Sequence, residues 1–156
     1  MIFYIPLFKY YIDLNNNKGH TFMTADWLIN YNHGYISRGL FGTFLLNSFN
    51  YQDQMLDFLS TVLIMIYILI FYYVNKIFNQ SRQNFISLIL IFSPATFLFN
   101  IYDSQGSFRK EILGILALVI LASNIKEKKS YQTYLSGLIY TIGIFSHSVN
   151  LFFFTS

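Results

Sequence analysis

With 156 residues, 54% of them hydrophobic and only 11% charged, and a mean hydropathy of +0.45, the chain is unlike a soluble domain, which carries about a quarter charged residues. Its net charge of +3 gives no support to nucleic-acid binding, and on a membrane protein such charge belongs to loops. The absence of cysteine excludes disulfides, thiolate metal sites and cysteine nucleophiles.

Residues 1–14 are apolar but short and contain Lys9. They form either a short span, with the lysine snorkelling, or an interfacial segment. No small-residue cleavage site follows, so this is not read as a secretory signal. Residues 21–50 form a membrane-surface or re-entrant segment. Its centre, WLINYNHGYISRGLFGTFL, places Gly34, Arg38, Gly39 and Gly42 in an aromatic and apolar run. Irregular backbone beside a bilayer survives only where protein or a water-filled cavity covers it. The glycines are therefore read as shaping backbone at the mouth of a site.

Uncharged runs then predict spans at about 55–76, 83–102 and 131–154, each with the ~18–20 residues needed to cross. The run 112–125 covers only about 21 Å as a helix. The spacing predicts that it recruits the preceding turn, giving a span over 107–125 with Ser107 as N-cap and Arg109 and Lys110 in the first turn. The fold class is thus an all-α, multi-pass transmembrane bundle forming one membrane domain. The chain stops on LFFFTS without a polar tail, as expected of a fragment or the N-terminal part of a longer protein.

Alternating spans put Lys76, Arg82, Lys126, Lys128 and Lys129 on one side, read as cytoplasmic because three of them crowd one short loop. Ser136, Tyr140, Gly143, His147 and Asn150 share one face of the last span, opposite an apolar face of Leu138, Ile142, Phe145, Val149 and Phe152 suited to lipid. Asp57, Ser60, Thr61, Thr96, Asn100, Asp103, Arg109, Lys110, Glu111, His147 and Asn150 fall toward the other half, where one polar cavity would gather them with Arg38. Plainer roles compete. Ser60, Thr61, Ser93 and Thr96 can serve backbone carbonyls, Pro94 can kink its helix, and Gly114, Ala117, Gly137 and Gly143 are close-packing positions. His20 and His33 read as solvated loop residues, and no spacing suggests a metal site.

Arg109 and Lys110 oppose the dipole of the helix they would open, and Glu111 relieves this only partly. The same geometry suits phosphate or pyrophosphate, since free N–H groups and two cations point at one place. The alternative is a pair that anchors a span among headgroups.

Trp27 followed by Gly34-Tyr35-Ile36-Ser37-Arg38-Gly39-Leu40-Phe41-Gly42 resembles a pattern in bacterial multi-pass proteins of O-antigen and capsule gene clusters, polymerase-like or glycosyltransferase-like. Arg109-Lys110-Glu111 matches their later R-K-[DE] turn. Where they carry His followed by an acid, this chain has His147-Ser148. The order of features also resembles the N-terminal part of GT-C glycosyltransferases, with Asp13 and Asp26 in the corresponding loop. The resemblance implies a protein of the bacterial cytoplasmic membrane that transfers a sugar or oligosaccharide from a polyprenyl phosphate-linked donor. Arg38, Arg109, Lys110 and His147 would hold the donor phosphate, and Asp26 or Glu111 would act as general base. The expected partners are that glycan and membrane lipid, with no nucleic acid, metal or cofactor. A transporter, a lipid- or glycan-binding subunit without chemistry, and a truncated inactive remnant are the alternatives.

Overall fold

The computed structural model describes residues 25–32, 39–80 and 110–146. The described residues are all-helical, with turns and no strand. In chain order the helices are α1 (Ala25–Leu28), α2 (Leu40–Ser48), α3 (Gln52–Gln80), α4 (Ile112–Asn124) and α5 (Ser130–Ser146).

Helix α3 runs for 29 residues without glycine or proline, and Asp53 in its first turn complements the dipole. Among the described residues it is the one helix long and apolar enough to cross a membrane. The expected span 55–76 lies within it. Ser60 and Thr61 donate to the carbonyls of Leu56 and Asp57, at 2.6 and 2.8 Å. That is the plainer role. Asp57 is itself exposed, and most of the other residues expected in a shared polar cavity lie outside the described residues.

Helix α4 is apolar around its circumference until Ser123 and Asn124, and most of its residues are buried, as befits a central helix. It packs on α3 along one flank and on α5 along the other. Leu56, Leu59, Leu63, Ile66 and Ile70 of α3 and Ile112, Leu113, Leu116 and Ile120 of α4 form one core, which Trp27 of α1 joins. Helix α5 is built inside out. Gln132, Ser136, Gly143 and Ser146 are buried, while Leu138, Ile142 and Phe145 are exposed at 61%, 37% and 48%. The apolar face picked out by the sequence therefore points away from protein. Ser136 Oγ donates to the Ala117 carbonyl at 2.7 Å, a direct bond between α5 and α4. Gly114, Ala117 and Gly143 are buried as expected. Gly137 is a correction: a Cβ there would meet nothing within 4 Å.

The α4–α5 turn is tied to the end of α3. Glu127 pairs with Lys76 and Lys129, each at 2.9 Å, and accepts from Gln80 Nε2 at 3.0 Å. Lys126 Nζ also donates to the Gln80 carbonyl. The C-terminal ends of α3 and α4 therefore meet, and the two helices run parallel. At ~1.5 Å per residue α3 is ~43 Å long and α4 ~20 Å, so α4 begins about halfway along α3.

Candidate functional site at the N-terminus of α4

The helix expected over 107–125 begins later, at Ile112. Lys110 and Glu111 form a turn ahead of it rather than its first helical turn. Glu111 occupies the N-cap position in αR conformation (φ −57°, ψ −24°), and its side chain makes no capping hydrogen bond. Leu113 N–H reaches the Lys110 carbonyl at 3.1 Å and Ile115 N–H reaches that of Glu111 at 3.2 Å. Ile112 and Leu113 already lie in the core, so the chain enters the helix between buried neighbours.

Lys110 is 0% exposed. An ammonium taken out of water is costly unless it is engaged, and Lys110 and Glu111 both take part in polar or electrostatic interactions. Its burial argues against a lysine simply reaching for headgroups, which keeps its charged head in water. The Ser136–Ala117 bond fixes the register of the antiparallel α4–α5 pair. Seven residues along each helix from that bond, Gly143 stands level with Lys110. Ser146 follows on the next turn. Gly143 is buried. Ser146 is 0% exposed and its Oγ has no hydrogen-bond partner. Buried hydroxyls are rarely left so, and each such case calls for an explanation.

The segment that precedes α3 closes on the same core. Trp27, 0% exposed, stacks edge-on against Phe41 with centroids 4.9 Å apart. Tyr31 N–H donates to Thr43 Oγ1 at 3.0 Å, and that hydroxyl donates to the Gly39 carbonyl at 2.8 Å, binding the connection to α2. Phe44 and Phe49 carry α2 onto Phe58 of α3, at 6.4 and 5.0 Å between centroids. The glycines have a definite role. A Cβ on Gly42 would lie 2.6 Å from the Ile29 carbonyl carbon and 2.8 Å from that of Leu28, so α2 touches backbone there. A Cβ on Gly39 would strike the Tyr31 ring. Gly39 has φ −85°, so close approach rather than a left-handed backbone requires it.

Asp26, in α1 beside Trp27, has one carboxylate oxygen (Oδ2) buried and without a hydrogen-bond partner. A buried acceptor without a partner calls for an explanation. Among the expected site residues, Asp26, Gly39, Gly42, Lys110 and Glu111 are thus described. Gly34, Arg38, Arg109 and His147 lie outside the described residues, as do the expected spans at 1–14 and 83–102.

Ser146 escaped the sequence reading, although it lies three residues after Gly143 on the polar face. Asn124 was also missed. It ends α4 with three bonds: Nδ2 to the Lys129 carbonyl at 2.9 Å, Nδ2 to Thr133 Oγ1 at 3.0 Å, and Oδ1 from Lys129 N–H at 2.7 Å. Its signal was a buried-type amide at the end of an apolar run, immediately before a lysine-rich loop. Among the described residues no group of His, Asp and Glu could hold a metal ion. No family model, curated protein or solved structure matches the chain.

Proposed function

We propose that the chain is a multi-pass protein of the bacterial cytoplasmic membrane that uses the N-terminus of α4 to hold the phosphate of a polyprenyl-linked glycan. The buried Lys110 at the start of a short central helix carries this reading. Two features support the membrane setting. Met65, Ile68, Leu69, Phe71 and Tyr72 expose a continuous apolar flank on α3, and α5 turns its apolar side outward. Soluble proteins seldom expose such patches, whereas lipid covers them. With α3 across a ~30 Å hydrocarbon core, the start of α4 falls inside the membrane thickness. A helix that begins at that depth presents free N–H groups and a positive dipole end to an anionic ligand.

The reaction proposed is glycosyl transfer. An acceptor hydroxyl attacks the anomeric carbon of the donor, and the bond from that carbon to the phosphate oxygen breaks. The electron pair leaves with the polyprenyl phosphate, whose charge Lys110 and the helix N-terminus stabilise. Asp26 takes the hydroxyl proton through its buried Oδ2. The resemblance to O-antigen and capsule proteins adds Arg38, Arg109 and His147 to the phosphate side.

The test uses the whole protein in nanodiscs with a photoreactive polyprenyl diphosphate-linked sugar. Wild type is expected to be labelled. Lys110→Met is expected to lose at least tenfold of the labelling at equal melting temperature, consistent with a lost charge-assisted contact of ~1.5–3 kcal/mol. Asp26→Asn should keep labelling and lose transfer by roughly 10²-fold or more. Full labelling of Lys110→Met would remove the phosphate site, and full transfer by Asp26→Asn would remove the base.

A further inference from the structure

The opposite end of the bundle carries a surface that glycan transfer does not use. Lys126, Lys128 and Lys129 are exposed in the turn after α4, and Lys76 reaches the same place from α3. One carboxylate, Glu127, serves both Lys76 and Lys129, so the cluster keeps a net positive charge of three. The paired lysines hold Glu127 below its ordinary range, first through the Lys76 hydrogen bond and then through that of Lys129. Among the described residues no ion pair engages Lys128.

Lys128 has φ 51°, the one left-handed non-glycine residue among those described. Its N–H closes the end of α4 on the Asn124 carbonyl at 2.8 Å. Glycine or asparagine is the natural residue at such a position, because a Cβ crowds the carbonyl. A lysine there is unfavourable for the backbone, so what it contributes is its charge. Tyr72, Tyr131 and Tyr134 stand exposed around the cluster at 59%, 60% and 79%. Tyrosines with lysines at a helix end mark the depth of lipid headgroups.

We propose that the 125–129 turn, with Lys76, is a docking surface for anionic phospholipid headgroups on the cytoplasmic leaflet. This rests on the membrane reading of the chain and is independent of the glycan. Charge complementarity selects the occupant: three net positive charges at headgroup depth favour an anionic over a zwitterionic lipid. The exposed Lys128 supplies a donor outside these pairs, Lys126 adds its charge while its Nζ holds the Gln80 carbonyl, and the Glu127 pairs hold the turn in place.

The experiment is native mass spectrometry of the whole protein released from nanodiscs containing phosphatidylglycerol and phosphatidylcholine in equal amounts. Wild type is expected to retain phosphatidylglycerol preferentially, with roughly a fivefold loss of preference for each lysine neutralised. Lys128→Gly makes the decisive variant, since glycine suits φ 51° and its melting temperature should hold or rise. Lys126→Gln is the second variant and leaves the backbone alone. Lost preference with retained stability supports the surface. An unchanged preference in both variants, or none in wild type, overturns it. A wild type that fails to enter nanodiscs would overturn the membrane reading and this surface with it.

Discussion

The two ends of the α4–α5 pair treat polar groups in opposite ways. At the turn end, Asn124 closes its own loop with three hydrogen bonds, and Glu127 joins α3 to the loop through two lysines. Asn124 is buried and Glu127 half-buried, and both have partners in place, while Gln132 Oε1 at the start of α5 is buried without one. At the other end Lys110 is fully buried, Ser146 Oγ is buried without a partner, and α1 brings an unpartnered Asp26 oxygen to the same core. A satisfied polar end stabilises a fold and asks for nothing more. Lys110 has its interactions, but the Asp26 oxygen and the Ser146 hydroxyl are buried without partners, which costs stability.

Most of the turn end is structural, and it can be broken in a graded way. The largest expected effect, however, lies in the segment that closes the other end. Gly42→Ala drives a methyl into the Ile29 carbonyl, where backbone cannot yield cheaply, and is expected to cost about 3 kcal/mol. Gly39→Ala meets only the Tyr31 ring, so about 1 kcal/mol is expected, and Tyr31→Ala should relieve most of it. Thermal unfolding in detergent measures both. Equal losses for the two glycines would contradict the difference between a backbone and a side-chain contact.

Next comes Asn124→Ala, which strands the Lys129 amide, leaves its carbonyl with only the Gln132 N–H, and is expected to cost about 1–3 kcal/mol. Asn124→Asp keeps the acceptor for Lys129 N–H and loses the donor, so it should fall between. If instead transfer fails while stability holds, the turn has a functional role that its satisfied bonds do not suggest.

The smallest effect is a pH dependence at the same end. The Lys76 and Lys129 hydrogen bonds lower Glu127 below its ordinary 4.5. Its pairing therefore contributes above that pH and is lost as pH falls through the lowered value. Lys129 is raised above 10.5 by its hydrogen bond to Glu127, so its share is present below 10.5 and is lost as pH rises through the raised value. Unfolding measured from pH 6 down to pH 3 should show a small decline that Glu127→Gln removes. The pair is exposed, and salt should shrink the effect.

Much of this contrast was legible in the residues. Polar and small side chains at i, i+4 and i+7 identified the buried face of α5, because a helix in lipid must hide those groups and expose its apolar ones. The glycine cluster announced a close approach, although only geometry distinguishes the Ile29 carbonyl from the Tyr31 ring. Gly137 was misassigned because a small residue on a helix signals packing only when a neighbour is present. The start of α4 was also misread. Span length demanded more residues and Ser107 offered a cap, but Lys110 and Glu111 form a turn and the helix begins at Ile112. Lys110 was read either as an anchor or as a ligand group, since a cation beside an apolar run looks the same in both roles. Its burial, which depends on neighbours distant in the chain, was not legible in the sequence.

The central claim is that the bundle crosses the bilayer, with its paired basic turn inside and its buried polar end toward the outside. Tyr51 and Ile125 mark the two ends, at 69% and 72% exposure, and the chain has no native cysteine to interfere. Single Tyr51→Cys and Ile125→Cys variants in intact cells should be treated with a membrane-impermeant thiol reagent. Labelling of Tyr51→Cys from outside, with Ile125→Cys reached only after the membrane is opened, is the expected result. Labelling of both positions from the same side would contradict it.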